Sequence, residues 1–124
     1  MKIKFNGEEL NLQCTQRMWF IYENVTNETY NPTDTAHSQT NSTTLIYAAI
    51  KAAIQRKNIK EKLQLEENIA LNDVLEFIDD NGGIVFTAKF SRWLEGEVEK
   101  MNEAIRRIDE PEPKEEEEKS TKKK

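Results

Sequence analysis

The sequence predicts a mainly α-helical protein of the α+β class, with an N-terminal β-hairpin packed on a bundle of about four helices and a disordered, charged C-terminal tail. Three observations predict this fold. The N-terminus alternates apolar and polar residues, apolar residues then recur three or four positions apart, and large apolar residues stop after Ile108. We therefore expect a helical domain at residues 1–108 and a tail at residues 109–124.

The first thirteen residues, "MKIKFNGEELNLQ", predict a two-stranded hairpin. Asn6–Gly7 tolerates the positive φ angles of a two-residue turn, which pairs Phe5 with Glu8 and Ile3 with Leu10. One face of the hairpin then carries Ile3, Phe5, Leu10 and Leu12. Because an isolated hairpin is only marginally stable in water, we expect helices to cover this face.

The stretch "RMWFIYENVTNETYN" carries five large apolar residues in a row and then becomes polar. A strand would have two apolar faces, whereas a helix from about Gln16 to Thr26 buries one stripe, with Thr15 as N-cap and Asn27 as C-cap. The stripe consists of Met18, Ile21, Tyr22 and Val25. Trp19 and Phe20 lie beside it, so they either widen the buried face or remain for a partner.

The next segment, residues 27–42, is polar and has no periodicity, so we expect a long connection that is either mobile or functional. It contains His37, the single histidine. No second His or Cys stands at ligand spacing, and this favours a solvated loop residue over a metal ligand or catalytic base.

Two further helices follow in the sequence. "TTLIYAAIKAAIQRK", from Thr43, has apolar residues over a wide surface and predicts the central helix. "NIKEKLQLEENIA" predicts a linker with a strand-like or short helical piece. "LNDVLEFIDDNGG" predicts a helix that Asn72 caps and Asn81–Gly82–Gly83 ends. Its predicted apolar stripe consists of Leu71, Val74, Leu75 and Ile78.

The last predicted helix runs from about Ile84 to Ile108 and would be about 37 Å long at 1.5 Å per residue. Its apolar residues recur at helical spacing: Phe86, Phe90, Trp93, Leu94, Val98, Met101, Ile105 and Ile108. Its distal half either overhangs the body and pairs with another chain or wraps the core of its own subunit.

Composition excludes several classes of function. The chain has 124 residues, 36% hydrophobic and 33% charged, with a net charge of −5, which argues against binding to a nucleic-acid backbone. No run approaches the roughly 18 apolar residues of a membrane span. No apolar stretch follows Lys2, so we expect no signal peptide and a cytoplasmic protein. The lone Cys14 fits a reducing compartment.

The sequence offers no pattern typical of an enzyme. Gly82–Gly83 lacks the spacing of a phosphate-binding loop, and a chain with one His and one Cys offers little for a catalytic triad. The adjacent carboxylates of Asp79 and Asp80 point in different directions on a helix. We therefore expect no catalytic residue, no bound metal and no cofactor.

The order of these elements resembles one family. A short hairpin, "KIKFNGEELNL", leads into "FIYENVTNETY", and the helices "TTLIYAAI" and "LNDVLEFIDDN" follow a polar loop. The second segment resembles a consensus pattern. Its characteristic positions are, in order, two aromatic residues, Glu, Thr, Gly, a residue that is either Ser or Thr, and a further aromatic residue. Asn27 stands where Gly is commoner, and Asn also enters the left-handed region. Residues 1–81 thus resemble the tail assembly chaperones of long-tailed bacteriophages and prophages.

The resemblance implies a helix-rich homo-oligomer in the bacterial host cytoplasm that coats the apolar tape-measure protein and helps tail-tube subunits gather on it. In that family a longer form, made by ribosomal frameshifting, often recruits the tube protein. The run Lys122–Lys124 is compatible with a slippery heptamer in the gene. The long helix that bears Trp93 and the loop around His37 are less typical of the family.

A chaperone of this kind would cover apolar helical surface reversibly by packing amphipathic helices into grooves. The candidate contacts with a partner or another subunit are Trp93, Leu94, Val98 and Met101, then Trp19 and Phe20. Each could instead belong to the core, and this alternative is favoured for Trp19 and Phe20. Other classes stay open: a structural virion or head–tail connector protein, or a small interaction adaptor such as an antitoxin.

Overall fold

The computed structural model describes residues 1–27 and 39–109, which form one hairpin and four helices. The strands are β1 (Lys2–Phe5) and β2 (Glu8–Asn11); the helices are α1 (Gln16–Thr26), α2 (Gln39–Glu61), α3 (Leu71–Asp80) and α4 (Ile84–Asp109). The predicted fold class is confirmed. The expectations for His37 and its loop, and for the tail beyond Asp109, lie outside the described residues.

The hairpin has the register that its turn chemistry predicts. Ile3 pairs with Leu10 and Phe5 with Glu8, and both turn residues have positive φ, 50° at Asn6 and 81° at Gly7. The predicted apolar face is covered: Phe5, Leu10 and Leu12 are buried and Ile3 is half-buried. The hairpin therefore gains its stability from the helices beneath it.

Both ends of α1 lie where the sequence predicts them. The Thr15 hydroxyl accepts a hydrogen bond from the Met18 N–H at 3.2 Å, and Asn27, at φ 59°, donates its N–H to the Glu23 carbonyl at 2.7 Å. Met18, Ile21 and Tyr22 are buried as expected. Val25 is exposed, because no described residue covers the last turn of the helix on that side.

Helix α2 is central, as predicted, and packs against α1, α3, α4 and β2. Its buried face is wide and contains four alanines, which allow close approach of the neighbouring helices: Leu45, Ile46, Ala48, Ala49, Ile50, Ala52, Ala53 and Ile54. The predicted bounds are too short. The helix begins at Gln39 rather than Thr43 and continues to Glu61, because an established helix propagates through polar residues that have no apolar periodicity.

The segment after α2 is held by one side chain. Lys62, at φ 55°, follows the helix, and the Asn58 amide then binds both backbone groups of Leu65 at 2.9 and 3.0 Å. The same amide donates to the Glu67 carboxylate at 2.9 Å. The predicted linker is thus partly helical at its start, and residues 63–70 contain no helix or strand.

Helix α3 has the predicted bounds but a different buried face. Its N-cap is Ala70, and Asn72 lies inside the first turn, so the predicted Asn72 cap is wrong. The buried residues are Val74, Phe77 and Ile78. Leu71 and Leu75, which the sequence assigned to the buried stripe, are exposed.

The ring of Phe77 explains this rotation of α3. It packs edge to face between Phe5 of the hairpin, with ring centroids 5.7 Å apart, and Phe86 of α4, at 5.1 Å. Such aromatic pairs contribute beyond the area that they bury. Phe77 therefore joins the hairpin, α3 and α4, and it turns Leu71 and Leu75 towards the solvent.

Helix α4 begins after the predicted turn. Gly82, at φ 111°, and Gly83, at φ 59°, adopt backbone conformations that other residues rarely enter, and the Gly83 N–H donates to the Ile78 carbonyl at 2.8 Å. The first four turns of α4 contact the core through Phe86, Phe90, Leu94 and Val98. This packing covers the apolar face of α4 as far as Val98, whereas Ile105 and Ile108 further along the helix are exposed.

Candidate interaction surface

The apolar stripe of α4 is longer than the core that it serves. Leu94, Val98, Met101, Ile105 and Ile108 follow one another at spacings of four, three, four and three residues, which places them on one face of the helix. Leu94 and Val98 are buried and Met101 is half-buried. Ile105 and Ile108 are 53% and 79% exposed. We call Met101, Ile105 and Ile108 the distal stripe.

The boundary between the buried and exposed parts of the stripe lies at Met101. Its Sδ is 3.4 Å from the Sγ of Cys14, in the segment between β2 and α1. From Met101, the remaining eight residues to Asp109 extend about 12 Å at 1.5 Å per residue. Beyond this contact with Cys14, the remaining members of the distal stripe, Ile105 and Ile108, are exposed.

The polar residues around the distal stripe stabilise the helix itself. Arg106 forms an ion pair and hydrogen bond with Glu103, and Lys100 pairs with Glu97 at 3.2 Å, both at i,i+3 spacing. The hydrogen bond from Arg106, with its positive charge, lowers the pKa of Glu103. In each pair both charged residues belong to α4. Ile105 and Ile108 are the exposed apolar residues of this part of the helix.

The structure divides the α4 residues that the sequence singled out. Leu94 and Val98 are core residues, so in this conformation they are not accessible to a partner. Trp93 is half-buried and packs on Phe90, with ring centroids 5.5 Å apart. Of the four α4 candidates, Trp93 and Met101 keep part of their side chains accessible.

The two aromatic candidates on α1 also differ from each other. Trp19 is half-buried against the core. Phe20 is 66% exposed, so the expectation that it lies in the core is wrong. The reason is helical geometry, because Met18, Ile21 and Tyr22 face α2 and Phe20 lies on the opposite side of α1.

Other exposed apolar residues were missed by the sequence reasoning. Ile84 and Val85 begin α4 and are exposed, although the apolar triplet formed with Phe86 could have signalled that only one of the three can face the core. Leu71 and Leu75 form an exposed pair one turn apart on α3. Exposed apolar side chains therefore occur at both ends of α4 and on α3.

Other kinds of site find no support in the described parts of the chain. Within residues 1–27 and 39–109, no group of three His, Cys, Asp or Glu side chains is placed to hold a metal ion. In the same ranges, no helix combines the length and apolar character needed to cross a membrane.

No protein-family model, curated protein or solved structure matches the chain. The indication of function therefore comes from the protein's own surface. The most distinctive feature of that surface is a helix whose apolar face continues beyond the body, and the chemistry that it offers is the burial of another apolar helix.

Proposed function

We propose that this protein is a non-catalytic phage tail assembly chaperone that binds the apolar helices of a tape-measure protein until tail-tube subunits enclose them. The observation that carries the proposal is the distal stripe of α4, where Ile105 and Ile108 remain exposed on the same face that is buried at Leu94 and Val98. The family resemblance of residues 1–81 supplies the class of client.

The arrangement of the elements supports this proposal. A hairpin is followed by α1, a connection, α2 and α3, which is the order that the resemblance implies. Helices α2 and α3 pack against α4, whose side chains from Phe86 to Val98 join the common core. A fixed body with a projecting amphipathic helix is suited to presenting apolar residues at defined positions.

The energetics favour a reversible contact. Complete burial of an exposed Ile side chain stabilises a complex by about 1.5–3 kcal/mol, and part of Ile105 is already covered. Ordering and association costs oppose this gain. One distal stripe alone would therefore bind weakly, and a long client with repeated apolar helices would be covered by many copies.

The same surface supports the proposal that the protein forms a homo-oligomer when no client is present. The spacing of the distal stripe is that of the apolar positions in a coiled coil. Two copies could cover each other's Ile105 and Ile108. Client binding and self-association would then compete for one surface, and this competition would favour release of a covered helix without an energy source.

The proposal is tested by co-expression with a phage tape-measure protein. We expect the tape-measure protein to be more soluble in the presence of the chain and to co-purify with it. We also expect the chain to be absent from purified virions, because a chaperone leaves before the tail is complete. A chain that fails to bind and is found in particles would instead be a structural virion protein.

A further inference from the structure

A cleft of about 590 Å³ lies between the hairpin and the C-terminal half of α2. It concentrates positive charge in a chain whose net charge is −5. Five of the residues that line it are basic: Lys2, Lys4, Arg56, Lys57 and Lys60. Two are acidic, Glu9 and Glu61. We call this feature the basic cleft, and its charge predicts an anionic ligand.

One of the five cations is already engaged. The Lys57 Nζ donates to the Glu9 carbonyl at 2.7 Å and lies 3.5 Å from a Glu8 carboxylate oxygen. Lys2, Lys4, Arg56 and Lys60 have no hydrogen-bond or ion-pair partner among residues 1–27 and 39–109. Four cations of the cleft are thus available to carboxylates from elsewhere in the chain.

The sequence beyond α4 contains a matching run of negative charge. Glu115–Glu118 are four consecutive glutamates, the longest acidic run in the chain. Such a run is repelled by itself and attracted by clustered cations. Charge complementarity therefore favours this segment as the occupant of the basic cleft.

The segment is also within reach. Gln13 and Thr15 line the cleft, and Cys14 between them contacts Met101. From Met101 the helix extends about 12 Å further to Asp109. Residues 115–118 follow Asp109 by six to nine positions, which span up to about 20–30 Å in an extended chain. This length exceeds the about 12 Å of helix between Asp109 and Met101, which contacts Cys14 beside the cleft residues Gln13 and Thr15.

We propose that Glu115–Glu118 bind in the basic cleft of their own chain, where their carboxylates pair with Lys2, Lys4, Arg56 and Lys60. Because the segment is covalently attached, its effective concentration at the cleft is of millimolar order, so that weak ion pairs suffice. Because the pairs are exposed to solvent, salt screens them. This inference is independent of the proposed chaperone function.

The first test compares NMR amide shifts of the full-length chain and a variant with Glu115–Glu118 all changed to Gln. At low ionic strength, about 20 mM, where charges act over about 20 Å, we expect shift changes at the cationic residues of the cleft. At about 0.5 M salt these differences should disappear. Changes confined to residues within a few positions of the substitutions would overturn the proposal.

A matched control changes the same number of charges at a distance. The variant carries Gln at four exposed glutamates that do not line the cleft: Glu23, Glu76, Glu95 and Glu99. It should leave the amide shifts of the cleft residues unchanged. Equal perturbation by both variants would mean that only net charge matters, and this result would also overturn the proposal.

A second measurement identifies the chain that supplies the glutamates. A carbodiimide joins Lys amines to nearby Glu carboxylates, and we expect links from Lys2, Lys4 or Lys60 to residues 115–118. In a mixture of isotope-labelled and unlabelled protein, the linked peptides should come from one chain. Links only between labelled and unlabelled chains, or none to this segment, would contradict binding within the chain.

Discussion

The Sγ of Cys14 and the Sδ of Met101, 87 positions apart in the sequence, lie 3.4 Å from each other. This contact joins the segment after the hairpin to α4 at the point where the stripe of α4 changes from buried to exposed. Burial, and to a smaller extent the negative charge of Glu97, raise the pKa of the Cys14 thiol to about 11. The thiol therefore reports on whether α4 stays packed against the segment between β2 and α1.

We expect iodoacetamide to alkylate Cys14 slowly in the folded protein. With the pKa raised from 9.0 to about 11, the thiolate fraction at pH 8 falls on the order of 100-fold, and the rate should rise until about pH 11. The stability linked to this thiol is fully present below the unfolded pKa and is lost as the pH rises through the folded pKa. Mass spectrometry of the alkylated protein measures the rate, with urea-unfolded protein as reference. Equal rates in both states would contradict the packed contact.

The two caps of α1 should respond differently to substitution. Thr15→Ala removes the acceptor of the Met18 N–H and should lower the free energy of unfolding by about 1 kcal/mol. Asn27→Gly should cost nothing, since Gly accepts positive φ, whereas Asn27→Val should cost about 1–2 kcal/mol. Urea unfolding monitored by circular dichroism measures these differences. A Val variant as stable as the Gly variant would show that Asn27 does not hold the left-handed conformation.

Two phenylalanines provide a matched test of the core. Phe90 is buried, and Phe90→Ala should lower the free energy of unfolding by about 3–5 kcal/mol. Phe20 is largely exposed, and Phe20→Ala should change the free energy of unfolding by less than about 0.5 kcal/mol. Thermal and urea unfolding of both variants check this difference. Comparable losses would mean that α1 is rotated so that Phe20 lies in the core.

Self-association should depend on the distal stripe. The double variant Ile105→Glu with Ile108→Glu adds charge to the exposed apolar face and should shift the protein towards monomer, with its unfolding unchanged. Asn102→Glu with Ala104→Glu adds the same charge at exposed positions beside the stripe and is the control. Light scattering over a range of concentrations measures the mass. Identical masses for both variants would place any self-association elsewhere.

The sequence predicts α1 well because its ends carry their own chemistry. Thr15 and Asn27 are residue types that cap a helix, and both act as caps in the structure. The start of α2 at Gln39 carries no such signal, since the polar residues before Thr43 have no periodicity and become helical as an extension of the apolar segment. Bounds marked by capping chemistry are therefore more predictable than bounds set by propagation.

The candidate surface is less predictable from the sequence. Helical periodicity identifies the apolar face of a helix, but it does not show how much of that face the rest of the protein buries. The α4 stripe is one continuous pattern, yet Val98 is buried and Ile108 is exposed. The difference depends on how far the neighbouring elements extend along α4, which is a tertiary property. On α3, similarly, the packing of Phe77 between Phe5 and Phe86 decides that Leu75 faces the solvent.

The most direct test measures binding of the proposed client, a phage tape-measure protein, to the wild-type chain and to both α4 double variants. We expect Ile105→Glu with Ile108→Glu to weaken binding at least tenfold, a loss of about 1.4 kcal/mol, and Asn102→Glu with Ala104→Glu to bind like the wild type. Equal affinity of all three proteins, or no binding by the wild-type chain, would contradict the proposal that the distal stripe binds this client.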